Sequence, residues 1–358
     1  MGKNVYEIMA EQDAEANIER FKSLRVMDYE HKVYHAEEVV DAFVRECYDR
    51  ELNFHVSVGG LDSITLLIFL REYGKRRSNW DLRTIPAISA SLLEDKSIQL
   101  IHQELGVESV PPLIPKIEVL QRFGFPVLSK EIAAKIEHLQ NPSERNATVR
   151  HAIITGETGE FGAYKYSQRM KLSQKWLDIF GGSDPEGAAL GYKAAPFNVS
   201  AKCCYYLKER PCDDWAKAHH SVTFLGLMAS EGGRRAKGLM LHGCNYWGKS
   251  ATRSCPFAIF DRQDLLQLAL DLNVPVPEIY GEIVRDADGT LRTTKAQRTG
   301  CSMCGFGIQL EKRPHRFDLL RERNPREWDY WMNKCCKDEN GENYGWGKIL
   351  DYIGVEWR

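Results

Sequence analysis

The sequence predicts an α/β fold: a parallel sheet with helices on both faces, preceded by an N-terminal helical extension and followed by a cysteine-rich helical region. Three observations lead there. An apolar strand, a glycine turn and an apolar helix succeed one another in FHVSVGGLDSITLLIFL, Phe54 to Leu70. A second strand-like run, IPAISAS, and a helix from about Lys96 to Leu105 repeat that order, and such alternation favours parallel strands joined by right-handed crossovers. The composition, 43% hydrophobic and 27% charged over 358 residues, is that of a globular chain able to bury one large core or two modest ones.

Taken in order, residues 1–50 read as helices, with Ile18, Phe21 and Leu24 spaced for one face and Val39, Val40, Phe43 and Val44 for another. A nucleotide-binding α/β domain is expected over 51–295. Its first strand runs from about Asn53 to Val58 and its first helix from about Ser63 to Tyr73; the basic connection KRRSNWDLRT leads to the second strand. In FGFPVLSKE, Phe123 to Glu131, Ser129 is placed to cap a helix. Residues 141–200 are rich in Gly, Ser, Asn and Lys and read as an insertion, where Lys165, Arg169, Lys171 and Lys175 alternate with Tyr164, Tyr166 and Trp176. Such interleaving suits a nucleic acid or, more commonly, a solvated helix face. VTFLGLMAS reads as a buried strand, and a helix from about Asp261 to Leu272 stops before Pro275. Residues 296–358 form the last block, a CxxC segment and closing helices.

The formal net charge of −2 exerts no global pull on nucleic acid or membrane. No apolar run reaches the length of a membrane span, and the charged start is unlike a signal peptide, so a cytoplasmic location is expected. Ten cysteines in such a chain point to metal or thiol chemistry rather than a disulfide scaffold.

The turn from Val56 to Ser63 is the first candidate site. Backbone amides at Gly59 and Gly60, with the Ser63 hydroxyl, can converge on a phosphate at a helix N-terminus. The second is RTGCSMCGFG, where Cys301 and Cys304 stand two residues apart on a glycine-rich turn and can reach one metal centre. Two further thiolates are needed for zinc or an iron–sulfur cluster, with Cys203, Cys204, Cys244 and Cys255 available; a redox CxxC needs only the pair.

The loop VGGLDS resembles the SGGxDS loop of the PAPS reductase family, adenine nucleotide alpha-hydrolase-like proteins of the ATP-pyrophosphatase kind, with Val58 where the family has serine. FGFPVLSKE, EGGRR at Glu231 to Arg235, the tract around Gln263-Asp264, and the KCC, GCN and CxxC blocks resemble bacterial and phage members. The resemblance covers nearly the whole chain from about residue 51. It implies that Ser57, Gly59, Gly60, Asp62, Ser63 and Arg235 hold ATP or a related adenine nucleotide, with Asp62, Lys130 and Arg235 acting in catalysis. It implies a 4Fe-4S cluster, or alternatively zinc, on Cys204, Cys244, Cys301 and Cys304, with Cys203 as the substitute for Cys204. The activity it implies is iron–sulfur-dependent sulfur transfer through adenylation of an acceptor, a nucleic acid among the acceptors and a cysteine desulfurase among the sulfur donors. Two alternatives stay open. One is a phosphoadenylyl- or adenylyl-sulfate reductase, although the Glu-Cys-Gly-hydrophobic-His tail of that group is missing and only Cys335-Cys336, expected at the surface, lies late in the chain. The other is a nucleotide or nucleic-acid binding module with a structural metal.

Overall fold

A computed structural model describes residues 11–76, 82–180, 195–248 and 251–358. Parts of the KRRSNWDLRT connection and of the 141–200 stretch lie outside the described residues. The chain divides into two compact units, one of residues 1–111 and 211–302, the other of 112–210 and 303–358. These boundaries differ from those expected near residues 50 and 295.

The strands, in chain order, are β1 (Asn53–Ser57), β2 (Ala87–Ser89), β3 (Glu108–Ser109), β4 (Val127–Leu128), β5 (Ser221–Leu225), β6 (Asn245–Trp247), β7 (Thr252–Ser254), β8 (Ile283–Arg285), β9 (Leu291–Thr293), β10 (Gly305–Phe306), β11 (Cys336–Lys337) and β12 (Asn343–Tyr344). The first unit is built on a six-stranded sheet of order β3-β2-β1-β5-β7-β6, parallel except where β6 runs antiparallel to β7. It is a mixed α/β arrangement with a mostly parallel sheet flanked by helices. From β1 the chain steps outward to β2 and β3, then returns to place β5 on the other side of β1. That reversal falls between β1 and β5, and in such sheets ligands usually bind beyond the carboxyl ends of the strands at a reversal.

The helix after β1, Leu61–Arg76, starts two residues earlier than the sequence suggests. Its faces are apolar nearly all round, and Leu61, Ile64, Leu66, Leu67, Phe69 and Leu70 are buried, as befits a helix lying within a core. The helices Glu11–Arg25 and Tyr29–Asp49 contribute Phe21, Val40, Phe43 and Val44 to the same core, so the N-terminal extension is part of the first unit. Asp28 begins the second of them by accepting a hydrogen bond from the His31 amide.

The second unit joins two distant stretches of sequence: β4 pairs in parallel with β10, Val127 opposite Gly305 and Leu128 opposite Phe306. Its core gathers Phe125, Ile136, Phe180, Val199, Phe317, Trp346 and Ile349. Within the expected insertion, Ile153, Leu172 and Trp176 are also buried in this core. The Lys130–Gln140 helix begins as expected, the Ser129 hydroxyl oxygen accepting from the Ile132 amide at 3.1 Å. Among the described residues, no helix is long and apolar enough to cross a membrane.

Candidate functional site

In the first unit the chain leaves β1 at Ser57, turns through Gly59 and Gly60 and enters the Leu61–Arg76 helix. The turn is held from several sides. The Gly59 amide donates to the Ser63 hydroxyl oxygen at 2.7 Å, and that hydroxyl donates to the Gly60 carbonyl at 3.0 Å. The Gly59 carbonyl lies 2.9 Å from Nε2 of His102, whose Nδ1 is 2.8 Å from the Ser91 hydroxyl. A carbonyl can only accept, so Nε2 carries the proton and Nδ1 accepts from Ser91. The Leu61 amide donates to the Tyr280 hydroxyl at 3.1 Å, and Thr299 meets the same hydroxyl at 2.6 Å.

Gly60 is required by this packing, because a Cβ there would lie 2.2 Å from the Tyr280 hydroxyl oxygen. Gly226, just beyond β5, is likewise pressed on the helix start: its Cβ would meet the Asp62 carbonyl at 2.9 Å. Among the described residues, the Gly60 and Asp62 amides have no acceptor, which leaves two donors at a helix N-terminus for an anion. The Ser57 and Thr223 hydroxyls are 2.8 Å apart on the adjoining strands β1 and β5.

A charged cluster stands beside the turn. Arg262 Nη1 donates to Asp62 Oδ1 at 2.6 Å, and its Nη2 to the Gln297 carbonyl at 3.1 Å. The largely buried Glu231 carboxylate accepts from Arg235 at 2.8 Å and lies 3.6 Å from Arg298. Burial pushes the Asp62 carboxyl above its ordinary pKa; Arg262 and Arg298 oppose that shift and Glu231 adds to it. Three guanidinium groups face two carboxylates here, and a third carboxylate, the buried Glu94, acts with Asp62 on the Tyr280 hydroxyl, so the surroundings of the turn carry no formal excess of charge. Guanidinium groups also suit phosphate through paired donors.

In the second unit, Lys130 Nζ donates to Glu209 at 2.6 Å and hydrogen-bonds the Cys204 thiol. Burial raises the Cys204 thiol above its ordinary range, Lys130 draws it back, and Cys304 raises it further from within electrostatic reach. The helical turn after Cys204 is a π-turn, Tyr205–Glu209, a distortion frequent at functional sites. Met303, which precedes Cys304, has φ +55°. Cys335 and Cys336, expected at the surface, are buried instead, with sulfurs 3.9 Å apart; they follow the helix Pro325–Asn333 inward, and Cys336 opens the β11–β12 pairing. Of the basic-aromatic stretch, Tyr164 and Tyr166 are exposed, whereas Trp176 belongs to the core.

The structure thus brings Ser57, Gly59, Gly60, Asp62 and Ser63 to one turn, with Arg235 joined to Glu231 in the neighbouring cluster. It places Lys130, Cys204 and Cys304 together in the other unit. Cys244 opens the β6 end of the first unit, with its sulfur 3.9 Å from His35 Nε2 and Cys255 close by; burial pushes its thiol up to about 12. Cys301 is half-buried at the end of the first unit. Among the described residues, no three His, Cys, Asp or Glu side chains gather as a ready metal-ligand group. His102, Arg262, Tyr280 and Arg298 complete the turn's surroundings, and sequence reasoning missed all four. Only Arg262 left a local signal, at the first turn of a helix capped by Asp261.

Together these features define a strand–turn–helix at the carboxyl end of β1 in a mostly parallel sheet, with two backbone amides at the helix start left without acceptors among the described residues. No protein-family model matches the chain, and no curated protein matches it.

Proposed function

We propose that the protein is an enzyme of the ATP-pyrophosphatase kind, resembling the PAPS reductase family, that binds ATP or a related adenine nucleotide at Gly59 to Ser63 and activates an acceptor for sulfur transfer. The observation that carries this reading is the pair of Gly60 and Asp62 amides without acceptors, set beside Arg235, Arg262 and Arg298. In the proposed reaction an acceptor oxygen attacks the α-phosphorus of ATP and pyrophosphate leaves. A sulfur nucleophile then attacks the activated centre, forming the bond to sulfur while the bond to the adenylated oxygen breaks and AMP departs. Amides and guanidinium groups hold the charge that grows on the departing pyrophosphate, the usual way protein dipoles assist phosphoryl chemistry. Asp62 fixes Arg262, and Glu231 fixes Arg235 and Arg298, so the cations are held in place before the nucleotide arrives.

The cofactor implied by the resemblance, a 4Fe-4S cluster or zinc, would take Cys204 and Cys304 as two of its ligands and supply thiolate-bound sulfur or electron chemistry there. Lys130, already bonded to Cys204, stabilises the thiolate form that any metal requires. The nucleic-acid acceptor and the desulfurase donor belong to the same proposal.

A second reading, a nucleotide-binding module without turnover, is favoured by one observation: Ser63 and Tyr280 occupy the Gly59 and Leu61 amides. Calorimetric titration with ATP, run alongside an anaerobic assay for AMP and pyrophosphate, separates the two. The enzyme reading expects saturable binding, weakened at least tenfold in Arg262→Met, together with AMP formation. Binding without any AMP in the presence of nucleic-acid acceptors selects the module, and the absence of binding removes both.

A further inference from the structure

The second unit holds one more concentration of reactive groups, the adjacent thiols Cys335 and Cys336. Both are buried, and their sulfurs stand 3.9 Å apart. Neighbouring residues of a regular strand point to opposite faces, so the convergence of these sulfurs has a local cause: Cys335 lies in the bend after the helix Pro325–Asn333, and only Cys336 belongs to β11. That strand is held from two sides. Cys336 pairs with Tyr344 of β12, and the Gln121 side chain donates to the Lys337 carbonyl and accepts from the Lys337 amide.

The two thiols differ in their surroundings. The helix Trp346–Ile353 begins against Cys335, an approach that Gly345 permits, because a Cβ there would lie 2.2 Å from the Trp331 carbonyl oxygen. In its protonated form Cys335 donates to that carbonyl at 3.4 Å. In its ionised form the sulfur accepts from the Cys336 thiol and from the Cys335 and Trp346 amides, and Lys116, whose Nζ stands 4.9 Å from the Trp331 ring centroid, attracts it. The Cys336 hydrogen bond contributes most, and together these contacts outweigh burial and hold the Cys335 thiol below its ordinary value. The same pairing, with burial, pushes Cys336 up. A sulfur at a helix N-terminus beside a lysine is suited to attack, and a protonated thiol next to it is suited to resolve the product.

Burial limits what reaches the pair without opening the core to a molecule near the size of water. We propose that Cys335 and Cys336 are a peroxide-reactive pair, Cys335 attacking and Cys336 resolving, which closes to a vicinal disulfide. The Cys335 sulfur attacks one oxygen of hydrogen peroxide; the S–O bond forms, the O–O bond breaks, and the departing hydroxide leaves as water with the Cys335 proton. The Cys336 sulfur then attacks the sulfenic sulfur, the S–S bond forms, the S–O bond breaks, and the hydroxyl leaves as a second water with the Cys336 proton. Two thiols lose two electrons and one peroxide gains them. The Cα atoms of adjacent residues are about 3.8 Å apart, closer than the roughly 4.4–6.8 Å usual for disulfides, so the bond is strained and small thiols reopen it. The inference does not rest on nucleotide chemistry.

The test uses the full-length protein, purified reduced and under anaerobic conditions. It is treated with hydrogen peroxide or, in parallel, with glutathione disulfide, unfolded in guanidinium chloride containing N-ethylmaleimide, and digested for mass spectrometry. The expected result is a peptide in which Cys335 and Cys336 escape alkylation because they are joined to each other. Dithiothreitol restores it, and peroxide forms it at least tenfold faster than the same concentration of glutathione disulfide. In Cys336→Ala the sulfenic acid persists on Cys335 and is labelled by dimedone, whereas in Cys335→Ala the label on Cys336 is at least tenfold weaker. Circular dichroism checks that both variants are folded, and the result on the native protein stands without them. Full alkylation of both thiols after peroxide overturns the proposal, as does a disulfide from either one to a third cysteine or an equal rate with the two oxidants. A dimedone label on Cys336 as strong as that on Cys335 also overturns it, since the two thiols would then have no separate roles.

Discussion

The two compact units contrast in how their chemistry is arranged along the chain. In the first, the turn proposed to bind phosphate is one continuous run from Ser57 to Ser63, supported by side chains brought in from His102, Arg262 and Tyr280. In the second, Lys130, Cys204 and Cys304 come from three separate places, brought near by the pairing of β4 with β10 and by the bridge of Phe125 to Val199. The first site is therefore set by backbone conformation, the second by tertiary pairing. A backbone site tolerates side-chain exchange and fails on adding a Cβ; a side-chain site does the reverse.

The largest effects expected from this comparison concern the two cores. Phe224→Ala in the first unit and Trp346→Ala in the second each remove a fully buried ring and are expected to cost about 3–5 kcal/mol in denaturant unfolding. A cost below about 1 kcal/mol in either would mean that the corresponding core is not packed as described.

Next in size is an acid sensitivity carried by β1 of the first unit. His55 is buried with Nδ1 2.7 Å from the Ser221 hydroxyl, and burial, helped by His219, lowers its pKa to about 4. The unfolded chain takes up this proton near pH 6.5 whereas the folded chain refuses it down to about 4. Stability is thus fully present above 6.5 and is lost as pH falls through that window, by up to about 3 kcal/mol. Chemical denaturation at pH 7 and pH 4.5 should show the loss in the native protein and a smaller one in His55→Asn. An equal loss in both would assign the acid sensitivity elsewhere.

The smallest effects sharpen the comparison at matched helix starts. Asp261 caps Arg262–Asp271 by accepting from the Gln263 and Asp264 amides, and Ser129 caps Lys130–Gln140. Alanine at either is expected to cost about 1 kcal/mol. Asp261→Ala should also weaken ATP binding, because the helix it starts presents Arg262 to Asp62; unaltered binding would detach that helix from the site.

The contrast also explains what the sequence made legible. The strand, glycine turn and helix of Asn53 to Arg76 are consecutive, so apolar patterning and two glycines were enough to place them. The cap at Ser129 could be read because capping is local, and the helix after Asp261 was placed although Asp261 itself was not read as its cap. The pairing of residues 127–128 with 305–306 could not, since two-residue strands carry no periodicity. Nor could Tyr280 and His102, whose roles depend on partners 219 and 43 residues away. Cys335 and Cys336 misled for a related reason: their polar neighbours in sequence suggested exposure, while the helix before them turns them into the second core. The basic-aromatic run failed at Trp176, where a cation-flanked ring serves packing rather than a ligand.

The central claim is that the turn after β1 receives the phosphates of an adenine nucleotide through its backbone, and Gly60→Ala tests it most directly. The added methyl must displace the Tyr280 hydroxyl from a position 2.2 Å away and crowd the amides beside it. Calorimetric titration of the folded variant with ATP should show affinity reduced at least tenfold from that of the native protein, with Ser63→Ala weakened less. An unchanged dissociation constant in Gly60→Ala would contradict the account.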